Sequence, residues 1–377
     1  MHYCKKCVQP DTRPMIVFDE EGVCLPCRAA EADKGQKIDW DARRSEILDI
    51  GAWGSAHSRG DYSCIIGVSG GKDSTRQALL ARDELGLKPL LVSCSYPPEQ
   101  LTERGAHNLS NLMELGFDTI TVSPNPQVWK YLMKKGFYKF GNWCKSTEMA
   151  LKACLPRMAI AYGIPLILVG ENPALSSGDW AGSMGGDGSK WQYSHTLAGG
   201  PRTLLDSDDE VSAQDLFWYQ YPSDEDMKRA GLRVVFMGYY FQDFNGPVNA
   251  RISIENGLVV REDPPEDTGN LNRFDCLDDD FVIVNQFLKY LKFGFGKVTD
   301  HVCESVRLGQ MTRSEAIELV RNYDGKCAPR FIESFCKYLG ISENEFWSVA
   351  DSFRNPELWE RAANSEWRLK NPIWEQV

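Results

Sequence analysis

The chain has 377 residues, 42% of them hydrophobic and 25% charged, and 42 Lys+Arg against 53 Asp+Glu give a formal net charge of -11. This length predicts two or three domains with interior enough for a large core. The acidic balance argues against a protein whose main task is gripping nucleic acid, because neutralising phosphates needs a basic surplus. No aliphatic run approaches the roughly 20 residues that span a bilayer, and the start lacks an apolar leader, so a cytoplasmic enzyme is expected.

In chain order, the first signal is a pair of knuckles, Cys4-Lys-Lys-Cys7 and Cys24-Leu-Pro-Cys27. Two such pairs close a tetrahedral thiolate site with no open position, which predicts a structural zinc ribbon rather than a catalytic metal. Residues 15–18 and 23 are expected to pair as its hairpin. The ribbon folds a segment too short for a core of its own, and docking of a partner or tRNA is left open. Asp39 is expected to cap a helix over 40–50 that ends in a Gly/Ser stretch.

From residue 62 to 167, short apolar runs alternate with helical spacing. Strands are predicted at 63–69, 89–95, 119–123 and 165–170, with helices at 74–85, 100–115 and 147–162 between them. Alternation of this kind predicts an α/β fold with a doubly wound parallel sheet. Between the first strand and helix lies Ser69-Gly70-Gly71-Lys72-Asp73-Ser74. Glycines at a strand-to-helix turn let backbone N–H groups and the helix dipole cradle phosphate. It is not a Walker loop: Ile66 replaces the first glycine, and Asp73 stands where Ser or Thr should follow Lys.

Residues 252–260 read as a hairpin about Asn256-Gly257. Helices are expected at 282–293, 297–308, 312–323, 329–339 and 343–353, with Thr312 and Ser342 as caps. The acidic runs 206–210 and 278–280 read as solvated loops. Cys144, before Lys145 at a helix start, suits packing better than chemistry. Trp180 and Tyr240 offer stacking surfaces, although aromatics at this density are commonly core. Arg202 and Arg307 can fork onto a carboxylate or diphosphate, and Lys292 or Lys297, around two glycines, can reach pyrophosphate.

Ser-Gly-Gly-x-Asp-Ser after a first buried strand resembles the PP-loop ATP pyrophosphatases. The resemblance implies that Ser69, Gly70, Gly71, Lys72 and Ser74 hold the pyrophosphate end of ATP while Asp73 carries Mg²⁺. It implies adenine contacts from the backbone of Val92 and Ser93. The turn Gly170-Glu171-Asn172 is similar to one facing the phosphates, with Glu171 holding Mg²⁺ or handling a proton; Pro173-Ala174-Leu175 departs from the usual acidic continuation. The domains implied are a zinc ribbon over 1–35, a helical linker over 36–62, a PP-loop domain over 63–272 and a helical region over 273–377.

A wider motif set looks like the N-acetyl sugar amidotransferases of bacterial surface-polysaccharide synthesis. It comprises Tyr3-Cys-x-x-Cys-Val-Gln-Pro-Asp-Thr-Arg-Pro14, Phe18-Asp-x-x-Gly-Val-Cys24, the loop itself, Gly141-Asn-Trp-Cys144, Tyr290-Leu-Lys-Phe-Gly-Phe-Gly-Lys297 and Thr312-Arg-x-Glu-Ala-Ile317. That resemblance implies an AMP-forming exchange of an N-acetyl oxygen for ammonia on a nucleotide-linked acetamido sugar, with ammonia supplied by glutaminase and cyclase-like partner subunits. A tRNA thiolase and a non-enzymatic nucleotide-binding scaffold are the alternatives. The cofactors implied are ATP, Mg²⁺ and structural zinc.

Overall fold

The structure is a computed structural model that describes all residues except 36, 37, 171, 175–177, 179–181 and 377, and omits the side chains of 33–35. Glu171 and Trp180 therefore lie outside the described residues. Five strands form one parallel sheet: β1 (Cys64–Gly67), β2 (Pro89–Cys94), β3 (Thr119–Val122), β4 (Leu166–Val169) and β5 (Arg233–Phe236), in the order β3-β2-β1-β4-β5. The central strand is apolar throughout because both faces are covered. Ile65 packs into one layer with Val92 and Ile167, whereas Cys64 and Ile66 pack into the other with Leu91 and Leu168.

The chain winds from β1 to β2 and β3, then returns to lay β4 on the other side of β1. This reversal opens a crevice at the strand ends, where α/β sheets bind ligands, and it falls beside the loop at Ser69–Ser74. The helices before and within the sheet are α1 (Leu25–Gly35), α2 (Trp40–His57), α3 (Lys72–Leu79), α4 (Glu103–Glu114), α5 (Pro126–Phe140) and α6 (Cys144–Tyr162). After them come α7 (Asp224–Arg229), α8 (Gly246–Glu255), α9 (Pro265–Thr268), α10 (Phe281–Phe293), α11 (Lys297–Arg307), α12 (Arg313–Tyr323), α13 (Pro329–Leu339) and α14 (Glu343–Ser352). Asp39, Thr312 and Ser342 all cap as expected, Thr312 through a full capping box.

Several expectations are corrected. The hairpin at 252–260 is the end of α8, whose start is set by Asn245 accepting from the Val248 N–H. Asn256-Gly257 fits a hairpin turn and a helix end equally well on paper. Here Gly257, at φ 93°, follows the last helical turn. The Gly/Ser stretch after residue 50 stays helical because Gly51 and Gly54 let α2 press onto the sheet; a Cβ on Gly54 would sit 2.6 Å from Leu166 and 2.7 Å from the Ser63 carbonyl. The ribbon hairpin is reduced to a single bridge, Phe18 to Cys24. Strand β5, helix α5 and the antiparallel pair β6 (Trp359–Arg361) and β7 (Trp367–Leu369) are additions to the elements expected from sequence. The run 278–280 is no solvated loop: Asp279 is 1% exposed and accepts from the Phe281 N–H, while Asp280 pairs with Arg104 and Arg261.

The ribbon does not stand apart. Its four cysteines and Val8 share a core with Val298, Val302 and Cys303 of α11 and with Ala316, Ile317 and Val320 of α12. Arg313 of α12 donates to the Cys7 carbonyl at 3.0 Å. Among the described residues, no helix is long and apolar enough to cross a membrane.

Candidate active site

Strand β1 hands the chain to the loop, and α3 begins at Lys72. Gly70 is required twice over: its φ is 78°, and a Cβ would meet the Leu109 amide nitrogen at 2.7 Å and the Asn108 carbonyl carbon at 2.8 Å. Gly71 caps α3 with no side-chain hydrogen bond, which leaves the leading N–H groups of the helix without a capping side chain, the kind of terminus that suits an anion. Across the crevice, Gly170 at the end of β4 lies against Gln77, whose Nε2 would be 2.5 Å from a Cβ there.

A cavity of about 570 Å³ opens beside the loop. The loop gives it Lys72, the ribbon Gln9 and Arg13, α8 Asn249, and the C-terminal helices Lys297, His301 and Arg307. A chain of charges crosses it. Lys72 Nζ lies 2.8 Å from Asp73 Oδ2 and 2.7 Å from Asp275 Oδ1, and the other oxygen of Asp275 is 2.7 Å from His301 Nε2. Asn249 donates to Asp73 Oδ1 at 2.9 Å, and Ser253 donates to the Lys72 carbonyl at 2.8 Å. Helix α8 thus braces both loop residues.

Burial alone would raise the Asp275 pKa, but Lys297, Lys72 and His301 outweigh it and hold the carboxyl well below its usual range. Burial lowers the His301 pKa against the pull of Asp275, and Lys297 lowers it further. Asp300, paired with Arg13 and with Lys289 at 2.7 Å, is likewise held ionised despite its burial. The consistent assignment is a neutral His301 whose Nε2–H donates to ionised Asp275. Its Nδ1 is then a lone pair, buried and without a hydrogen-bond partner. Such a nitrogen can act as a base beside the cavity that His301 lines.

The four ribbon thiols form the other centre. The sulfurs of Cys4, Cys7, Cys24 and Cys27 lie within 4.8 Å of one another, and all four residues are buried. Backbone N–H groups of Lys6 and Cys24 donate to Cys4 Sγ, and that of Gln9 donates to Cys7 Sγ, at 3.3–3.4 Å. Donors aimed at sulfur stabilise thiolate, so the set fits a closed zinc site.

The remaining sequence candidates scatter. Val92 and Ser93 are inside the sheet, the Val92 carbonyl accepting from the Val68 N–H. Cys144 is buried and its thiol is pushed far up by burial; Cys276, next to Asp275 in the chain, is pushed up to about 11 by the same cause. Both are protonated near neutrality, which is unsuited to sulfur transfer. Lys145 donates to the carbonyls of Thr196 and Ala198, Tyr240 packs in the core with its hydroxyl on Glu46, and Arg202 is exposed away from the loop cavity. The two lysines separate: Lys297 lines the loop cavity, whereas Lys292 lines a neighbouring one of about 400 Å³. Sequence reasoning missed Arg13, Asn249, Asp275 and His301. A lone histidine on an amphipathic helix gives no signal, and Asn249 lies ahead of the expected hairpin at 252–260, in a stretch where no element is expected.

Residues 268–373 match the family model described as LPS biosynthesis protein WbpG-like, C-terminal domain. The far wall of the cavity is WbpG-like. That WbpG-like stretch carries Asp275, Lys297, His301 and Arg307, and its match supports the resemblance drawn from the motifs. No curated protein matches the chain. Among solved structures, NMN synthetase from Francisella tularensis is similar at 17% identity and a TM-score of 0.28, covering 37% of this chain and 57% of that one. The chain thus spans a little over half the length of that structure, and the likeness bears on neither activity nor substrate.

Proposed function

We propose that this chain is an ATP-dependent enzyme of lipopolysaccharide biosynthesis that exchanges the N-acetyl oxygen of a nucleotide-linked acetamido sugar for ammonia, forming an acetamidino sugar with AMP and pyrophosphate. The observation that carries the reading is the junction of two regions in one cavity: Lys72 of the phosphate loop shares Asp275 with His301 of the WbpG-like stretch.

In this reading the loop amides and Lys72 hold the β- and γ-phosphates. The acetamido oxygen attacks the α-phosphorus, pyrophosphate leaves, and an O-adenylyl imidate results that keeps the amide proton on its nitrogen. Ammonia adds to the imidate carbon, AMP leaves with the C–O bonding pair, and His301 Nδ1 takes the surplus proton from the new nitrogen. Asp73 and Asn249 would hold Mg²⁺, and they fit: a carboxylate stands beside an amide oxygen that is buried without a partner. When bound, the ion offsets charge on the departing pyrophosphate. Ammonia is supplied by separate glutaminase and cyclase-like subunits.

The test incubates the protein with Mg-ATP, ammonium and nucleotide-linked diacetamido sugars. The expected outcome is sugar-dependent AMP together with a product lighter by the difference between O and NH. Formation of ADP, or of AMP with tRNA alone, overturns the reading.

A further inference from the structure

Within the loop cavity one carboxylate serves both walls. Asp275 gives one oxygen to Lys72 Nζ at 2.7 Å and the other to His301 Nε2 at 2.7 Å, so it joins the cation of the loop to the histidine opposite. Lys72, Asp275 and His301 have side chains 10%, 11% and 6% exposed, so water and salt screen these contacts little. An anion beside His301 steadies its protonated form, and a cation on that anion weakens the effect. What Lys72 takes from Asp275 is therefore lost to His301.

The two partners of this contact are held differently. The next residue after Asp275, Cys276, stands in the left-handed region at φ 56°, a conformation that a residue with a side chain keeps when its surroundings impose it. Arg261, itself buried, imposes it by donating to the Cys276 carbonyl at 2.6 Å while pairing with Asp263 and Asp280. Asp275 is thus fixed from behind. Lys72 carries its ammonium on a flexible four-carbon stem at the head of α3. A polyphosphate seated on the loop brings several negative charges and competes with Asp275 for that ammonium.

The other charged groups near His301 do not share this freedom. Asp300, on the same helix, is engaged by Arg13 and Lys289, and Glu304 accepts from the Gly246 N–H at the start of α8. Lys297 and Arg307 add positive charge to the cavity lining. Burial holds His301 low, Asp275 is the first of its neighbours to lift it, and Lys297 opposes that lift.

We propose that Asp275 is a positioning residue that ties the base to the nucleotide: with Lys72 resting on it His301 holds a proton poorly, and when the phosphates of ATP draw Lys72 away its charge turns to His301. The transfer then balances. The added nitrogen sheds a proton, Nδ1 of His301 gains it, and Nε2 keeps its own proton toward Asp275. A base works best with its midpoint near the operating pH, so an effective base is withheld until ATP is seated. This rests on the proposed function for two points, that the loop takes the phosphates and that the added nitrogen supplies the proton.

The test is an NMR titration of the full-length, zinc-loaded protein with its histidines labelled at Cε1. The chain has five histidines, and His301→Gln identifies the signal by its loss. The probe is a Mg²⁺-bound ATP analogue with a methylene between the α- and β-phosphorus, which binds without turnover. Its addition should raise the His301 midpoint by about one pH unit. Lys72→Met should raise that midpoint with no nucleotide present, whereas Lys72→Arg, which keeps a cation there, should leave it near the wild-type value. Asp275→Asn should lower the midpoint and leave the analogue a much smaller effect, a reading that stands even if Lys72→Met folds poorly. A midpoint that the analogue leaves in place, an equal rise in wild type and Asp275→Asn, an unchanged midpoint in Lys72→Met, or no binding of the analogue to wild type overturns the inference. The titration needs no sugar, so the two readings fail separately. A raised midpoint without AMP formation from any acetamido sugar would support this coupling and count against the proposed reaction. AMP formation with an unmoved midpoint would do the reverse.

Discussion

The two walls of the loop cavity are built by opposite means. On one side, six consecutive residues from Ser69 to Ser74 form the turn proposed to cradle phosphate, and chain geometry alone brings them together. On the other, Asp275 and His301 are 26 positions apart and reach the loop because α11 packs beside the ribbon. A contiguous site can be read from a string, whereas a site assembled by packing becomes visible once helices are in place. The difference teaches that, in the proposed reaction, nucleotide handling falls to the contiguous loop, and selection and proton transfer fall to the wall that folds around it.

The strongest way to break this division is to deny the four cysteines the zinc that their geometry fits. Structural zinc sites are worth about 10–16 kcal/mol in apparent binding free energy. Chelation or Cys24→Ser should collapse the core that the ribbon shares with α11, lower the melting temperature and abolish AMP formation. If activity survives with zinc absent by elemental analysis, the C-terminal wall stands without the ribbon.

Next comes Asp275→Asn, which leaves Lys72 and His301 without their shared anion. AMP formation should fall about 10²–10⁴-fold, the range of general acid–base contributions, with the fold intact by circular dichroism. A variant with wild-type turnover would confine the chemistry to the loop. Gly70→Ala probes that other wall. A left-handed strain of about 1–3 kcal/mol, together with the contact at Leu109, should lower stability and weaken ATP binding; unaltered ATP affinity would show that the cradle tolerates the added carbon.

A smaller effect concerns pH. His301 has a folded pKa below its unfolded value near 6.5, so the unfolded chain takes up a proton first as pH falls. Its contribution to stability is fully present above that pH and is lost as pH drops toward the folded value. The groups facing it are Asp275, Lys297 and Asp300. Urea unfolding between pH 8 and 5 should show a steeper loss in wild type than in His301→Gln, by at most about 1.4 kcal/mol per pH unit. Parallel curves would mean that His301 is not held neutral. The smallest effect belongs to Arg202→Ala: this exposed residue should change stability by less than about 0.5 kcal/mol and leave AMP formation unaltered.

Much of the frame was legible because its signals are local. The two CxxC pairs, the glycines after β1 and the caps at Asp39, Thr312 and Ser342 each depend on neighbours in sequence. Helix α8 was lost because Asn256-Gly257 satisfies two kinds of chain reversal, and with it went Asn249. Asp279 escaped notice because an acidic run normally seeks water, yet here one carboxyl is used inside, accepting from the Phe281 N–H at the start of α10. The pairing of Lys72 with Asp275 depends on how helices pack, which no short pattern records.

The ribbon has a further consequence for how the molecule is made. Residues 4–27 leave the ribosome long before the apolar surfaces that complete their core, which belong to residues 298–320 and to Ile373. Contacts so distant in sequence are costly to close and slow to form. For most of synthesis the ribbon must therefore wait without its partners, and four thiolates gathered on a metal are what can keep so short a segment in shape. In that light a zinc ion on these four cysteines would act as a placeholder, preserving one face of the cavity until the C-terminal helices arrive to meet it.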